Sequence, residues 1–145
     1  MAKITRIDEA RCGSFVRVLV VEEYQPFQRF IRSMLQKRPE LQIICEVSDG
    51  LKAVQKAQEL KPDLILLAIA LPTLDGFAAA RQIRRLAPES KILFVTADSS
   101  PELLQEALSV GASGYVLKTR AGSDLLPAVD AVLQGNQFVS SGLLG

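Results

Sequence analysis

The chain has 145 residues, 48% of them apolar, with 17 Lys and Arg against 16 Asp and Glu and a formal net charge of +1. That length and apolar content suit one compact domain with its own core, and the near-neutral balance, with no dense basic block, argues against a non-specific nucleic-acid binder. The longest unbroken apolar run, Leu64 to Leu71, is far shorter than the roughly 20 residues that span a bilayer, and the opening MAKITRIDEARCGS is too charged for a secretory leader, so a cytoplasmic protein with no membrane partner is expected.

Val16 to Val21 (VRVLVV) is a β-branched run that predicts a first strand. From there apolar residues fall at Phe27, Phe30, Ile31, Met34 and Leu35, the spacing of an amphipathic helix, with Pro26 suited to its first turn and Arg38-Pro39-Glu40 closing it. LQIICEV, Leu41 to Val47, reads as a second strand. Ser48-Asp49-Gly50 opens a helix through LKAVQKAQEL until Lys61-Pro62 stops it, and DLILLA from Asp63 is a third strand, apolar on both faces and therefore central. DGFAAARQIRRLAP predicts a third helix ended at Pro88, KILFVTA a fourth strand, and SPELLQEALSVG a fourth helix capped by Ser100 with Pro101 in its first turn. SGYVLK is a fifth short strand. GSDLLPAVDAVLQG is a fifth helix bounded by Gly135, with Pro127 near its first turn, where a missing N–H costs little.

Five strands alternating with five helices through short linkers force parallel strands and right-handed crossovers. The expected fold is α/β: a doubly wound five-stranded parallel sheet with helices on both faces. Ligands of such sheets meet the carboxyl ends of the strands near the switch in strand order, which directs attention to Glu22 and Glu23, Ala68, Thr96 and Lys118.

Glu22 and Glu23 stand where a nucleotide- or flavin-binding fold would place glycines or hydroxyls. Two carboxylates there repel phosphate and invite a hard cation such as magnesium, which takes one or two carboxylates and leaves other positions to water and phosphate oxygens. Taken singly, each residue has a plainer reading: solvated loop acids, an ordinary strand threonine, a surface lysine. Together, a cation site, a hydroxyl and an ammonium around one strand-end pocket are what a transferring phosphoryl group requires.

VRVLVVEEY, DLILLAIALPTLDG, ILFVTA and GASGYVLK, in this order and spacing, resemble the receiver domain of two-component response regulators, a flavodoxin-like fold, from Val16 to about Gln134. The stretch from Gly111 to Ser140 is most similar to the subfamily whose receivers precede a C-terminal helix-turn-helix DNA-binding domain, which lies outside these residues. The resemblance implies a magnesium-binding role for Glu22 and Glu23, with the carbonyl of Ala70, and a phosphoryl-contacting hydroxyl at Thr96. It implies a phosphate-pairing ammonium at Lys118 and, at Tyr115, the aromatic that acts with Thr96 as a switch. Pro72 and Asp75-Gly76 match the loop after the phosphorylated strand. It also places the phosphoacceptor aspartate at the position that Ala68 occupies.

An alanine has no nucleophilic oxygen, so aspartyl phosphate is not expected at residue 68, and magnesium is expected to bind weakly or not at all. Each glutamate is one methylene longer than the aspartate the family more often uses, so one of them is expected to reach Lys118, whose usual carboxylate partner is missing; an unpartnered buried lysine is costly. Two accounts stay open: an engineered substitution in an ordinary receiver, or a natural phosphate-independent pseudo-receiver that acts as an interaction or dimerisation module, the second favoured by the glutamate pair. A phosphatase-like enzyme would need a carboxylate nucleophile at Ala68, and a flavodoxin-like carrier a hydroxyl- and glycine-rich first loop; neither is present, and no enzymatic activity is expected. The resemblance implies a sensor histidine kinase or phosphotransfer protein as partner, a homodimer, and DNA contact only through an output domain. Arg29, Arg32, Lys37 and Arg38 suit an acidic partner or, more simply, a solvated helix face.

The expected division is an N-terminal extension over 1–14, disordered, native or vector-derived, a receiver over 15–135, and the start of a linker or tail over 136–145. Cys12 and Cys45 lack metal-type spacing, and Cys45 suits a buried inert thiol better than half of a disulfide.

Overall fold

A computed structural model describes residues 15–141. The extension over 1–14, with Cys12, and residues 142–145 lie outside the described residues. The elements run β1 (Val16–Val21), α1 (Gln25–Leu35), β2 (Leu41–Val47), α2 (Gly50–Leu60), β3 (Leu64–Leu67), α3 (Gly76–Leu86), β4 (Lys91–Thr96), α4 (Pro101–Ser109), β5 (Gly114–Leu117), a 3₁₀ turn (Lys118–Arg120), α5 (Ala121–Leu133) and β6 (Phe138–Val139). The strands are parallel in the order β2-β1-β3-β4-β5-β6. β1 therefore lies between β2 and β3, and the order reverses beside the carboxyl ends of β1 and β3.

Successive side chains of a strand point to opposite faces, and this divides the core in two. Leu19, Val21, Ile65, Leu67, Ile92, Phe94 and Tyr115 pack with Ala53, Ala57, Phe77, Ile83 and Leu104 of α2, α3 and α4. Val18, Val20, Leu64, Leu66, Leu93, Val95 and Val116 pack with Ile31, Leu35, Leu125, Val129 and Val132 of α1 and α5. Helix starts follow the sequence signals. Asp49, Asp75 and Ser100 each accept a backbone N–H through the side chain, at 2.8, 2.9 and 3.1 Å, and so satisfy amides that the first turn leaves without partners. Cys45 is half-buried against the α2–α4 side of the core.

Two expectations are corrected. The sheet has six strands, because Phe138–Val139, inside the stretch read as a linker, pairs with the open edge of β5. Two residues are too few to show a period-two pattern, and the pairing depends on an edge the sequence does not display. α5 begins at Ala121, directly after the 3₁₀ turn, so Pro127 lies in its second turn and not its first. The ring is exposed, and so is Ser123, whose carbonyl loses its helical partner; solvent can serve that carbonyl, which is why the proline is tolerated.

Gly50 and Gly76 open α2 and α3 against the loop after β3. A Cβ on Gly50 would stand 1.8 Å from the Leu74 carbonyl oxygen, and one on Gly76 2.2 Å from that of Ala68. The absence of a side chain thus seats α3 on the backbone at the end of β3. Gly76→Ala is expected to lower the unfolding free energy by about 1–3 kcal/mol, seen as a lower urea midpoint at unchanged slope; an unchanged midpoint would mean that the loop yields without cost.

Candidate functional site at the strand ends

The ends of β3, β4 and β5 enclose a cleft of ≈ 330 Å³ lined by Ala68, Ala70, Thr96, Asp98, Leu103 and Lys118, among others. Ala68 is 4% exposed and Thr96 6%. Ala68 is held in line with β1 by its amide, which donates to the Val21 carbonyl at 3.1 Å.

Glu22 follows β1 and its side chain turns inward, 4% exposed, with Oε1 3.0 Å from Lys118 Nζ. Its Oε2 accepts the Tyr24 amide at 2.9 Å, which fixes the carboxylate. Oε1 has no aligned hydrogen-bond donor, so the ammonium is its only partner among the described residues. Lys118 Nζ also lies 4.7 Å from the centroid of the Phe27 ring, a cation–π contact worth about 0.5–2 kcal/mol. Between carboxylate and ring the ammonium is neutralised within the protein.

Tyr115 is fully buried. Its hydroxyl donates to the Asp98 carbonyl at 2.8 Å, and its ring is tilted against Phe94 at 6.5 Å between centroids. The Asp98 amide in turn donates to Thr96 Oγ1 at 3.2 Å. Thr96 and Tyr115 therefore share one short loop, and a movement of Asp98 is felt at both.

Glu23 is not brought to this cleft. It is exposed and lines a separate hollow with Gln25, Gln28, Glu46 and Asp49. No group of three metal-ligating side chains converges among the described residues. A magnesium ion needs several hard oxygens in near-octahedral array. Here one glutamate is committed to a lysine and an amide, the other faces elsewhere, and residue 68 offers no side-chain oxygen. The residues as disposed do not fit that ion.

A parallel sheet with acid, hydroxyl, tyrosine and lysine at these strand ends agrees with the match of residues 18–130 to the response regulator receiver domain. The chain belongs to the receiver domain family. This receiver is 32% identical over 124 residues to the transcriptional regulatory protein LnrK of Bacillus subtilis (strain 168), covering 86% of this chain and 56% of that protein. It is 28% identical over 124 residues to the transcriptional regulatory protein DegU of Brevibacillus brevis, covering 86% and 52%. Among solved structures it is similar to a two-component response regulator of the LuxR family from Aurantimonas sp. SI85-9A1, with a TM-score of 0.86 at 27% identity, covering 90% of this chain and 94% of that one. The receiver spans about half the length of the curated relatives it matches.

Two participants escape a reading by motif. Phe27 has helical spacing and reads only as core, yet it faces the pocket lysine. Asp98 lies two residues beyond the fourth strand's threonine in VTADSS, and it acts through its backbone, which composition does not reveal. The basic side of α1 is also partly spent within the receiver: Arg32 forms a two-point contact with Glu46 at 2.7 and 3.0 Å, and Arg38 meets Asp130 at 2.6 Å. Arg29 and Lys37 stay exposed. No helix among the described residues is long and apolar enough to cross a membrane.

Burial, and then the negative charge of Asp98, push the Tyr115 phenol up to about 12. The folded state prefers the neutral phenol. Its contribution is complete below the ordinary tyrosine value of about 10 and is lost as pH rises through the folded value. The expected outcome is a tyrosinate absorbance step near pH 12 that Tyr115→Phe removes, with a stability loss of about 1 kcal/mol for the missing hydrogen bond. Persistence of that step in the variant would assign it to another group.

Proposed function

We propose that this receiver acts without being phosphorylated, as an interaction module whose state is set by a protein partner. The observation that carries the reading is the 3.0 Å pair of Glu22 with Lys118: the ammonium that a receiver offers to a phosphoryl group already has an internal counter-ion. In this reading Ala68 occupies the phosphoacceptor position, and its methyl group has no lone pair with which to attack phosphorus. Magnesium binding is weak or absent, since Glu22 is drawn to Lys118 and Glu23 turns away, leaving little beyond the Ala70 carbonyl.

Thr96 and Lys118 remain as the phosphate-pocket pair and Thr96 and Tyr115 as the switch pair. A partner with different affinity for two arrangements of this wall would shift the population between them without chemistry at residue 68. The partners are a sensor histidine kinase or phosphotransfer protein, bound without transfer, and a second copy of the chain. The setting is cytoplasmic and the domain has no catalysis of its own. The transcriptional regulators among its relatives support an output through a DNA-binding domain beyond this segment.

Incubation with magnesium and acetyl phosphate, followed by intact mass, tests the reading. The protein itself is expected to gain no phosphoryl group; Ala68→Asp to gain little, because Glu22 competes for Lys118; and Glu22→Asp combined with Ala68→Asp to gain most. Full phosphorylation of the single Ala68→Asp variant would favour the other account, an ordinary receiver pocket silenced by one substitution. A phosphoryl group on the unaltered protein would overturn the proposal.

A further inference from the structure

β6 is two residues long, and among the described residues no strand beyond Val139 meets the last amide of β5. Leu117 is 8% exposed, and an amide left there without a partner would be costly. The side chain of Ser140, itself 1% exposed, replaces the missing strand. Its hydroxyl accepts the Leu117 amide at 3.1 Å and donates to Asp124 Oδ2 at 2.8 Å. The Ser140 amide donates to the Tyr115 carbonyl at 2.9 Å, and that of Phe138 to Ser113 at 3.2 Å.

We propose that Ser140 is a latch tying Phe138–Ser140 to the pocket lysine, so that breaking the Glu22–Lys118 pair releases this strand from β5. Leu117 is held at its amide by Ser140, and the next residue is held at its ammonium by Glu22 and Phe27. Lys118 also begins the 3₁₀ turn, whose last residue, Arg120, reaches the same Asp124 oxygen at 3.3 Å. When the ammonium loses its anchor, the turn shifts, and both bonds of the Ser140 hydroxyl are strained together, because one oxygen carries both. The outermost strand is the one most readily freed: it is two residues long, its side chains are only half-buried, and among the described residues no further strand bounds its outer edge. The state of the pocket is thereby passed to Phe138–Ser140. The device needs only the ion pair and the hydroxyl, and stands apart from whether Ala68 silences the pocket.

Amide hydrogen exchange, resolved by residue at Leu117, Phe138 and Ser140, tests it, with the β1 amides as a reference for global unfolding. Ser140→Ala is expected to raise exchange at Phe138 and at residue 140 about tenfold or more, and Lys118→Met to do the same although the ammonium it removes is held by Glu22 and Phe27, the size expected of a coupling between sites. β1 should stay protected in both. Exchange at β6 unchanged in Ser140→Ala would remove the latch. Release in Ser140→Ala with none in Lys118→Met would remove the coupling to the pocket, as would a rise in Lys118→Met matched by an equal rise across β1.

Discussion

The Lys118 ammonium sits at the end of β5 with only 23% of its side chain exposed, and a charge in that position must be met by an opposite one. Desolvation of a lone ammonium costs several kcal/mol, whereas a paired one with further contacts comes out near balance. Glu22 supplies the charge and the Phe27 ring a second, weaker contact. The rest of the wall is arranged around that pair: Glu22 is pinned by the Tyr24 amide, Tyr24 leads into α1, and the residue before Lys118 holds the last strand of the sheet.

The pairing also decides what kind of chemistry the cleft has room for. A receiver pocket works by gathering negative oxygens around a cation and an ammonium. In this chain the ammonium is neutralised from within, and one of the two strand-end acids is used to do it. The second acid faces another hollow. Residue 68 offers a methyl group. On the reading proposed above, these departures together disfavour phosphoryl chemistry, while Thr96, Asp98 and Tyr115 stay linked by hydrogen bonds. In the proposed function, a partner that binds one arrangement of the wall better than another biases it instead.

Much of this was legible in the chain because period and punctuation agree. LQIICEV is bounded by Pro39-Glu40 and by Ser48-Asp49-Gly50, and the strand in the structure has the same limits, Leu41–Val47. The caps Asp49, Asp75 and Ser100 announce their helices because a short polar side chain before an apolar face has few other uses. Pro127 misleads for a physical reason: a proline deep in a helix is normally excluded, but its ring and the carbonyl it orphans are both on the solvent side. β6 was not legible, since two residues carry no periodicity and their pairing is created by the edge of β5.

The sequence by itself determined the alternation of strand and helix, the parallel sheet, and the residue types that stand at each strand end, because these follow from local periodicity and from the rule that parallel strands need crossovers. It also determined that the side chain of residue 68 has no oxygen. Only the tertiary structure decided that Glu22 and not Glu23 meets Lys118, that Phe27 faces the ammonium, and that Ser140 closes the last amide of β5. These contacts join residues far apart in the chain, and they depend on side-chain direction and on which strand lies next to which, quantities that no local pattern encodes.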